Sequence, residues 1–545
     1  MRLSVLLASL AAVCDAAQVK FTNNIRLLFD VDGNQIDAYG SKISNFNGVY
    51  YLYGNSFAIE GVAFGIKSYS SVDLINWKYE GFLFDPYSNT PCNDLGGCGR
   101  PHIVFNPITQ LYILWANAGS SGYPVATSST PSGPFFFLSS PAAIDPQFNG
   151  LQPADFTVEI LNNTGYIVFS ALNFRDPRAG SLWPPIFQTL HASQLTSNLE
   201  NTTEISYPVV SVADDLIDQE AESPDIFMRN GIYYIVASNT CGYCNGSIGL
   251  VYRSASIQGP WMRQIIAGYS CNGQVEGVLP LVNPSTGQTT YIWHSTSVPG
   301  GPRVGFGGHI FQPLQFNGDG SVQDLNCAAK AQFTVDFQAG NGTVASGNAT
   351  MAGQATPLSA EYDYVCDSDQ FVLYQTWTAA KAGTISSVSV NIAASVQTVP
   401  LSLTVFRFDS YSDLIAPEYK YTTMGTATFN RTSLSYVFDV ANVPVTSNAT
   451  VQQGDLLGLA ISGADFVPYC HLEYSTGTGA SSSSGPTGWG HGPQGSWGGS
   501  SFSPSGTYRL FQQGVGQNSW RGLQGTISPI YERLGKSVKF FVTYA

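Results

Sequence analysis

Residues Tyr50 to Ser56 read YYLYGNS, an aromatic-rich stretch that is typical of a buried β-strand. Four later stretches resemble it and also begin with tyrosine: YILWAN from Tyr112, YIVFSA from Tyr166, YYIVASN from Tyr233 and YIWHST from Tyr291. The first tyrosines of the five stretches follow one another at steps of 62, 54, 67 and 58 residues. Steps of this size are too long for helical solenoid repeats, and they predict a five-bladed β-propeller.

A second set of stretches follows three of these strands. Each member ends in an aromatic residue that we expect to wedge between neighbouring sheets: SSVDLINW (Ser70 to Trp77), SSTPSGPF (Ser128 to Phe135) and SASIQGPW (Ser254 to Trp261). The agreement between the two sets favours the propeller. The alternative is an irregular all-β sandwich whose strands are evenly spaced.

The charge balance excludes two classes of partner. The chain has 37 Asp and Glu against 23 Lys and Arg, which gives a formal net charge of −14. Nucleic acid and anionic membrane both require a basic face, so neither is expected as a partner. Neutral polymers remain compatible with this composition.

The N-terminus predicts export. Residues 1–17 have one arginine, an apolar stretch from Leu3 to Val13 and small residues before Gln18, which together indicate a signal peptide. Cys14 would be the attachment point if this were a bacterial lipoprotein signal. Seven glycosylation sequons favour a eukaryotic secreted glycoprotein instead, and they begin at Asn162, Asn201, Asn245, Asn341, Asn348, Asn430 and Asn448.

Eight further cysteines remain, an even number that predicts disulfides in an exported chain. We expect the pairs Cys92–Cys98, Cys241–Cys244 and Cys366–Cys470, although spacing alone does not fix the connectivity. Cys241-Gly-Tyr-Cys244 has the spacing of a redox dithiol or half a zinc site. A second such pair and a thioredoxin-like context are both missing from the sequence, so no metal site is predicted.

The C-terminal region has a different pattern. Small polar residues from Ala328 to Leu358 suggest a linker or an exposed loop, and stretches beyond it, such as LSLTVFRF from Leu401, alternate with a period of two. The predicted domains are therefore a propeller over 18–330 and a jelly-roll-like β-sandwich over 331–545. A Gly/Ser-rich stretch from Tyr474 to Ser503, which contains Trp489 and Trp497, makes the second domain a candidate carbohydrate-binding module.

Three polar residues open or precede repeated strands, the position from which propeller side chains reach the central channel. They are Asp155 in PADFTVEI, Glu222 in EAESPDIF and Gln274 in NGQVEGVLP.

At these positions the sequence resembles glycoside hydrolase family 43, a family of inverting five-bladed glycosidases. The stretch from Glu222 (ESPDIF), followed by RNGIYYIVAS, is similar to the family's general-acid motif, and SSVDLINW and GHIFQPLQFNGDGSV (Gly308 to Val322) resemble its first-blade turn and closing strand. The opening segment DVDGNQIDAYGSKI and GQVEGVLP around Gln274 resemble the exo-β-1,3-galactanase branch.

The resemblance implies roles for individual residues. Glu222 would be the general acid, Asp155 would orient the acid or the sugar and supply a neighbouring charge, and Gln274 would position the attacking water. Asn55, Arg100, Thr240 and Tyr243 would contact substrate, and no cofactor is implied.

The sequence departs from the family at three places. Gly40 stands near the position of the usual catalytic base, which leaves Asp37 and Glu276 as alternative bases. The Glu-Arg-Pro of the branch is Gly99-Arg100-Pro101 in this chain, and its Gly-Glu is Gly54-Asn55. These departures leave both the base and the galactan specificity open.

Two functional hypotheses follow. The first is a secreted, monomeric, inverting glycosidase that acts on cell-wall polysaccharide side chains or galactan. The second is a carbohydrate-binding propeller that has lost catalysis, because a missing base is also what a degenerate site would show.

Overall fold

The computed structural model describes the chain in segments. They are residues 16–22, 26–40, 42–56, 65–88, 90–92, 97–173, 188–212, 215–240, 247–297, 307–327, 331–340, 342–346, 353–355, 363–365, 371–394, 401–411, 420–429, 438–445, 449–463, 469–475, 508–514, 530–533 and 536–544. Two compact units are formed. Unit 1 comprises Met1–Val31 and Ile36–Ser346, and unit 2 comprises Asp32–Gln35 and Gly347–Ala545.

Unit 1 is built from β-strands joined by turns. Its strands are β1 (Ala16–Thr22), β2 (Ile43–Phe46), β3 (Val49–Asn55), β4 (Ile66–Ser71), β5 (Lys78–Phe82), β6 (Gly99–Asn106), β7 (Leu111–Asn117), β8 (Val125–Ser128), β9 (Phe136–Phe137), β10 (Gln152–Leu161), β11 (Thr164–Leu172), β12 (Gln188–Leu195), β13 (Thr202–Pro208), β14 (Ala221–Arg229), β15 (Ile232–Asn239), β16 (Gly249–Ser254), β17 (Met262–Ala267), β18 (Gln274–Val282), β19 (Thr289–Ser297), β20 (Gly308–Pro313) and β21 (Gln332–Gln338). Short 3₁₀ turns occur at Gly119–Ser121, Pro146–Phe148, Leu216–Gln219 and Ser270–Asn272.

Five antiparallel sheets follow one another along unit 1. Their strand orders are β2-β3-β4-β5, β6-β7-β8-β9, β10-β11-β12-β13, β14-β15-β16-β17 and β18-β19-β20. The five tyrosine-led stretches are the second strands β3, β7, β11, β15 and β19, as predicted. Strand β6 contacts β3 and β10, strand β14 contacts β10 and β18, and β18 contacts β2, so the contacts return from the fifth sheet to the first.

The aromatic residues at the ends of the predicted turns pack between adjacent sheets, which confirms that expectation. Phe135 lies in a buried cluster with Tyr53 of the first sheet. Trp261 joins side chains of the third and fourth sheets, including Leu190. Trp77 packs with Leu279 of the fifth sheet. Burial of such large apolar surfaces stabilises each junction between sheets.

Strand β21 corrects the linker interpretation. Small polar residues suggested an irregular connection over Ala328–Leu358, but β21 pairs along its whole length with β1, from Ala16↔Gln338 to Thr22↔Gln332. Val335 and Phe337 are buried in the same cluster as Trp77. The alternation of these two apolar residues with polar neighbours is a strand pattern that the surrounding composition obscured.

Unit 2 contains the remaining strands. They are β22 (Gly353–Ala355), β23 (Asp363–Val365), β24 (Phe371–Thr378), β25 (Gly383–Ala394), β26 (Leu401–Phe408), β27 (Thr422–Phe429), β28 (Asp439–Pro444), β29 (Thr450–Val451), β30 (Leu456–Gly463), β31 (Tyr469–Ser475), β32 (Tyr508–Gly514), β33 (Ile530–Arg533), β34 (Lys536–Val538) and β35 (Phe540–Tyr544). One sheet has the order β27-β26-β30-β24-β32-β33. The other has the order β22-β35-β25-β31-β23, with β28 and β29 also paired to β25 and β34 paired to β31.

A single buried cluster includes residues of both sheets of unit 2. Leu403, Val405 and Leu459 come from the six-stranded sheet, and Val390 and Val542 come from the eight-stranded one. The period of two in the sequence places these side chains on one face of each strand. Gly33 of this unit accepts hydrogen bonds from Asn391 Nδ2 over 2.7 Å and Lys539 Nζ over 3.0 Å.

The disulfides are partly as predicted. Cys92 is bonded to Cys98, and Cys271 is bonded to Cys327, a pair that the spacing did not indicate. Cys470 is also in a disulfide, but its predicted partner Cys366 lies outside the described residues, as do Cys241 and Cys244. Within the described segments, no helix has the length and apolar character needed to cross a membrane.

Candidate active site

Irregularities in four first strands bring the candidate residues together. The pairing register shifts between Gly99 and His102 in β6, Pro153 and Phe156 in β10, Glu222 and Asp225 in β14, and Val275 and Gly277 in β18. Each shift has the two-against-one pairing of a β-bulge, a device that re-aims side chains. Arg100 and Ser223 adopt left-handed φ values of 49° and 57° within these bulges. Strain of this kind is typical of functional sites.

Glu222 lies between two amide side chains. Gln274 Nε2 donates a hydrogen bond to Glu222 Oε1 over 2.6 Å, and Gln188 Nε2 donates to Glu222 Oε2 over 2.9 Å. The residue is 9% exposed. These two donors fix the orientation of the carboxyl group, and they stabilise the negative charge that develops on it when a proton departs.

Arg100 joins three of the other candidates. Its Nη2 donates to Gln274 Oε1 over 3.2 Å, its Nη1 donates to Glu276 Oε2 over 3.1 Å, and its Nε lies 2.9 Å from Asp155 Oδ2. The planar fork of a guanidinium group suits such simultaneous contacts. Asp155 is therefore paired directly with Arg100, and its charge is balanced there. The side chain of Asp155 is 24% exposed, whereas that of Arg100 is 4% exposed.

Glu276 is fully buried beside Arg100. Thr296 Oγ1 also donates to it, and the backbone N–H of Gly40 contributes a further hydrogen bond. Burial raises the pKa of Glu276 to about 7, although Arg100 and the hydrogen bonds from Thr296 and Gly40 oppose that rise. The backbone at Gly40, near which the family's base is expected, thus contacts the carboxyl group of Glu276.

Asp37 lies in another polar cluster. Lys67 Nζ is 2.8 Å from its carboxylate, Ser56 Oγ also donates to that carboxylate, and the backbone N–H of Asp37 donates to Tyr69 Oη over 3.2 Å. The side chain of Asp37 is fully buried. Of the two alternative bases, it is Glu276 that shares a partner with Gln274.

Two of the residues predicted to contact substrate, Asn55 and Thr240, are held by hydrogen bonds within the protein. Asn55 Nδ2 donates to the carbonyl oxygen of Cys98, while its Oδ1 is buried with no hydrogen-bond partner among the described residues. Thr240 Oγ1 donates to the carbonyl oxygen of Glu220 over 2.8 Å and accepts from Gln188 Nε2 over 2.7 Å. Tyr243 lies outside the described residues. A Cβ added at Gly99 would meet no described atom within 4 Å, so this position is open.

Sequence reasoning missed Gln188. This residue opens β12, the third strand of its sheet, whereas the residues predicted for the site open or precede the repeated strand pair. Gln188 is almost fully buried, and its Oε1 has no hydrogen-bond partner among the described residues. No motif marks it, so only its contact with Glu222 identifies it.

A buried ionic cluster that the sequence did not indicate lies further along the same strands. Lys42 Nζ is 2.7 Å from Asp225 Oδ1 and 2.6 Å from Glu159 Oε2. Asp225 also accepts from Thr157 Oγ1 over 2.8 Å and from the backbone N–H of Val278 over 2.8 Å. Burial acts to lower the pKa of Lys42, but Asp225 and Glu159 outweigh it and keep that pKa above its ordinary value. The cluster joins Lys42, which precedes β2, to strands of the third, fourth and fifth sheets, and it borders a cavity of about 370 Å³.

The described residues contain no group of three or more His, Cys, Asp or Glu side chains arranged to hold a metal ion. The polar groups that the structure brings together at the site are Glu222, the amides of Gln188 and Gln274, and the carboxyl groups around Arg100.

No protein-family model matches the chain, and no curated protein matches it. Solved structures are similar to it. An exo-β-1,3-galactanase from Phanerochaete chrysosporium, solved with β-1,3-galactotriose, is 19% identical with a TM-score of 0.48, over 84% of this chain and 100% of that one. An exo-β-1,3-galactanase from Clostridium thermocellum is 16% identical with a TM-score of 0.47, over 96% and 100%. A GH43 β-1,3-galactosidase with bound galactodeoxynojirimycin is 21% identical with a TM-score of 0.45, over 55% and 96%. The chain is thus similar to solved glycoside hydrolases that are named as β-1,3-galactanases and a β-1,3-galactosidase.

Proposed function

We propose that this protein is a secreted glycoside hydrolase of the family 43 type, which cleaves galactan or related cell-wall side chains with inversion. One observation carries the proposal: Glu222 is held between the amides of Gln274 and Gln188, and Gln274 is itself oriented by Arg100. A carboxyl group fixed in this way is suited to give its proton to a glycosidic oxygen, because the amides stabilise the carboxylate that remains.

In the proposed mechanism, protonated Glu222 donates its proton to the oxygen that leaves with the departing sugar. Water attacks the anomeric carbon from the opposite face of the ring, and the glycosidic bond breaks with inversion. The amide oxygen of Gln274 has two lone pairs, one of which accepts from Arg100. We propose that the other accepts from the attacking water and so positions it.

An amide cannot serve as the final acceptor of the proton that this water releases. Of the two alternative bases, Glu276 is the one that Arg100 joins to Gln274, because Arg100 donates a hydrogen bond to each of them. We propose Glu276 as the group that receives the proton, directly or through a second water. Asp155, also bound to Arg100, is placed to orient the guanidinium group or to contact the sugar.

The fold supports this proposal. We propose that the five successive sheets of unit 1 are the blades of a β-propeller, and that the two sheets of unit 2 form an accessory β-sandwich. Strand-end side chains from separate blades would then meet at the central axis. The signal-like residues 1–17 and the seven sequons support secretion and glycosylation, and we propose that the protein acts as a monomer.

The choice of galactan rests on the sequence motifs around Glu222 and Gln274. Gly99 and Asn55 stand where the resembling branch has carboxylates, so the tested substrates need to extend beyond galactan. The experiment is a screen of the purified protein on β-1,3-galactan, arabinan, xylan and their oligosaccharides. Nuclear magnetic resonance should detect the anomer that is released first, and inversion is expected.

Glu222→Gln is the matching variant, and Glu220→Gln, two residues away, is its control. We expect E222Q to lose turnover on natural glycans while it still binds them, and E220Q to retain both. With an aryl glycoside whose leaving group needs little protonation, the defect of E222Q should shrink. Wild-type turnover by E222Q would contradict the assignment. Sugar binding without turnover by the wild-type protein would favour the non-catalytic alternative.

A further inference from the structure

The turn that precedes Gln274 has an unusual backbone. Ser270, Cys271 and Asn272 have φ values of 40°, 57° and 73°, so three consecutive residues other than glycine lie in the left-handed region. Each such residue is disfavoured because its Cβ crowds the following carbonyl group. A run of three persists only where the surroundings enforce it.

Covalent and packing contacts hold this turn. Cys271 is bonded to Cys327, which lies 56 residues further along the chain. Ser270 and Cys271 are buried. A Cβ added at Gly273 would come within 3.0 Å of the Ser295 side chain and the Thr296 backbone, so the chain passes close to β19 at this point. The turn is therefore fixed on both sides of Cys271.

Gln274 is the third residue after Cys271, and it begins β18 opposite Thr296. Its amide nitrogen lies 2.6 Å from Glu222, and its amide oxygen lies 3.2 Å from Arg100. Both contacts depend on where the backbone enters the strand. A displacement of about 1 Å at a catalytic group can cost about a hundredfold in rate.

The second described disulfide of unit 1 has a comparable position. Cys98, bonded to Cys92, lies two residues before Arg100, the partner of Gln274. Both described crosslinks thus anchor the strand starts whose side chains meet in the Arg100–Gln274 hydrogen bond.

We infer that the Cys271–Cys327 disulfide is a positioning element of the candidate active site. It holds the left-handed turn Ser270–Asn272, and through that turn it sets the place of the Gln274 amide between Glu222 and Arg100. This role rests on the proposed function, and it assigns to the crosslink an effect on turnover beyond its effect on stability.

The test uses the full chain with Cys271→Ser and Cys327→Ser combined, assayed with an aryl β-galactoside and β-1,3-galactooligosaccharides well below the unfolding temperature. We expect kcat to fall about 10- to 100-fold while KM changes less than about threefold. Adding Gln274→Ala to this variant should lower kcat no further than Gln274→Ala does in the otherwise wild-type protein, because both changes disturb the same group. A wild-type kcat in the double-serine variant, or losses that simply add, would overturn the inference.

A second variant separates positioning from general destabilisation. Cys271→Gly combined with Cys327→Ser also lacks the crosslink, but glycine adopts the left-handed conformation without penalty. We expect this variant to recover most of the kcat that the double-serine variant loses. If it is as impaired as the double-serine variant, the crosslink does not act through this turn.

Crystal structures test this inference separately from the proposed function. If the wild-type protein turns over none of the substrates, the proposed function fails, but crystal structures of both variants still report the position of Gln274. The inference expects its amide displaced from Glu222 in the double-serine variant and restored in the C271G variant. An unmoved amide in the double-serine variant would refute it.

Discussion

Arg100 donates from Nη2 to the amide oxygen of Gln274 over 3.2 Å, and this contact determines which end of the amide faces Glu222. A guanidinium group has only donors, so the atom that meets it must be the amide oxygen. The amide nitrogen then points at Glu222 Oε1, 2.6 Å away. The orientation of the candidate acid therefore depends on a residue of a different sheet.

Replacing Arg100 should disrupt three contacts at once. In R100A, the buried carboxyl group of Glu276 and the partly exposed one of Asp155 lose their cation, and we expect the free energy of unfolding to fall by about 3–5 kcal/mol. In R100K, a single ammonium group cannot reproduce the fork, so kcat should fall while the fold persists. Urea denaturation and steady-state kinetics measure the two effects. The control is Arg253→Lys, which changes the arginine of a surface ion pair with Asp319. Full activity in R100K would contradict the role given to Arg100.

Gln274→Ala should lower kcat by about a hundredfold, because both the acid and the attacking water lose a positioning group. The exposed Gln147→Ala serves as the matched control and should have no effect. Azide should restore activity to a variant that lacks a carboxylate base more readily than to Q274A. If Q274A is active while Asp37→Ala or Glu276→Ala is inactive, a carboxylate base operates without help from the amide.

Gln188→Leu tests the residue that sequence reasoning missed. Leucine removes the donor to Glu222 Oε2, so the ionised form of Glu222 becomes less favourable relative to the protonated form. We expect a lower kcat and a basic limb of the pH–rate profile that moves to higher pH. The complete pH dependence of kcat is the measurement. An unchanged profile with reduced stability would make Gln188 a packing residue only.

Glu276 should make stability depend on pH. Its pKa is about 7 in the folded protein, against an ordinary value of 4.5, so the folded state favours the protonated form. The resulting stabilisation is complete below pH 4.5, and it is lost as the pH rises through 7, by up to about 3 kcal/mol. Urea denaturation at a series of pH values should show this loss in the wild-type protein and not in Glu276→Gln. Equal slopes for the two proteins would mean that Glu276 ionises normally.

Local sequence determined the five repeated strands of unit 1 and their order. A strand such as Tyr50–Asn55 is specified by its own aromatic and β-branched residues, and a turn such as Ser254–Trp261 is specified by Gly, Pro and a terminal tryptophan. The same local logic selected Asp155, Glu222 and Gln274, because their places before or within the repeated units follow from sequence position alone. The period of two in LSLTVFRF from Leu401 likewise predicted a strand of unit 2, and that stretch is β26.

Tertiary structure decided the contacts between those residues. The bond from Gln188 to Glu222, the three partners of Arg100 and the Cys271–Cys327 crosslink join parts of the chain that are 34 to 176 residues apart. Strand β21 became recognisable only through its pairing with β1. Local patterns carry no information about such pairs, because a side chain's partner is set by how separate sheets pack and where bulges re-aim the strands.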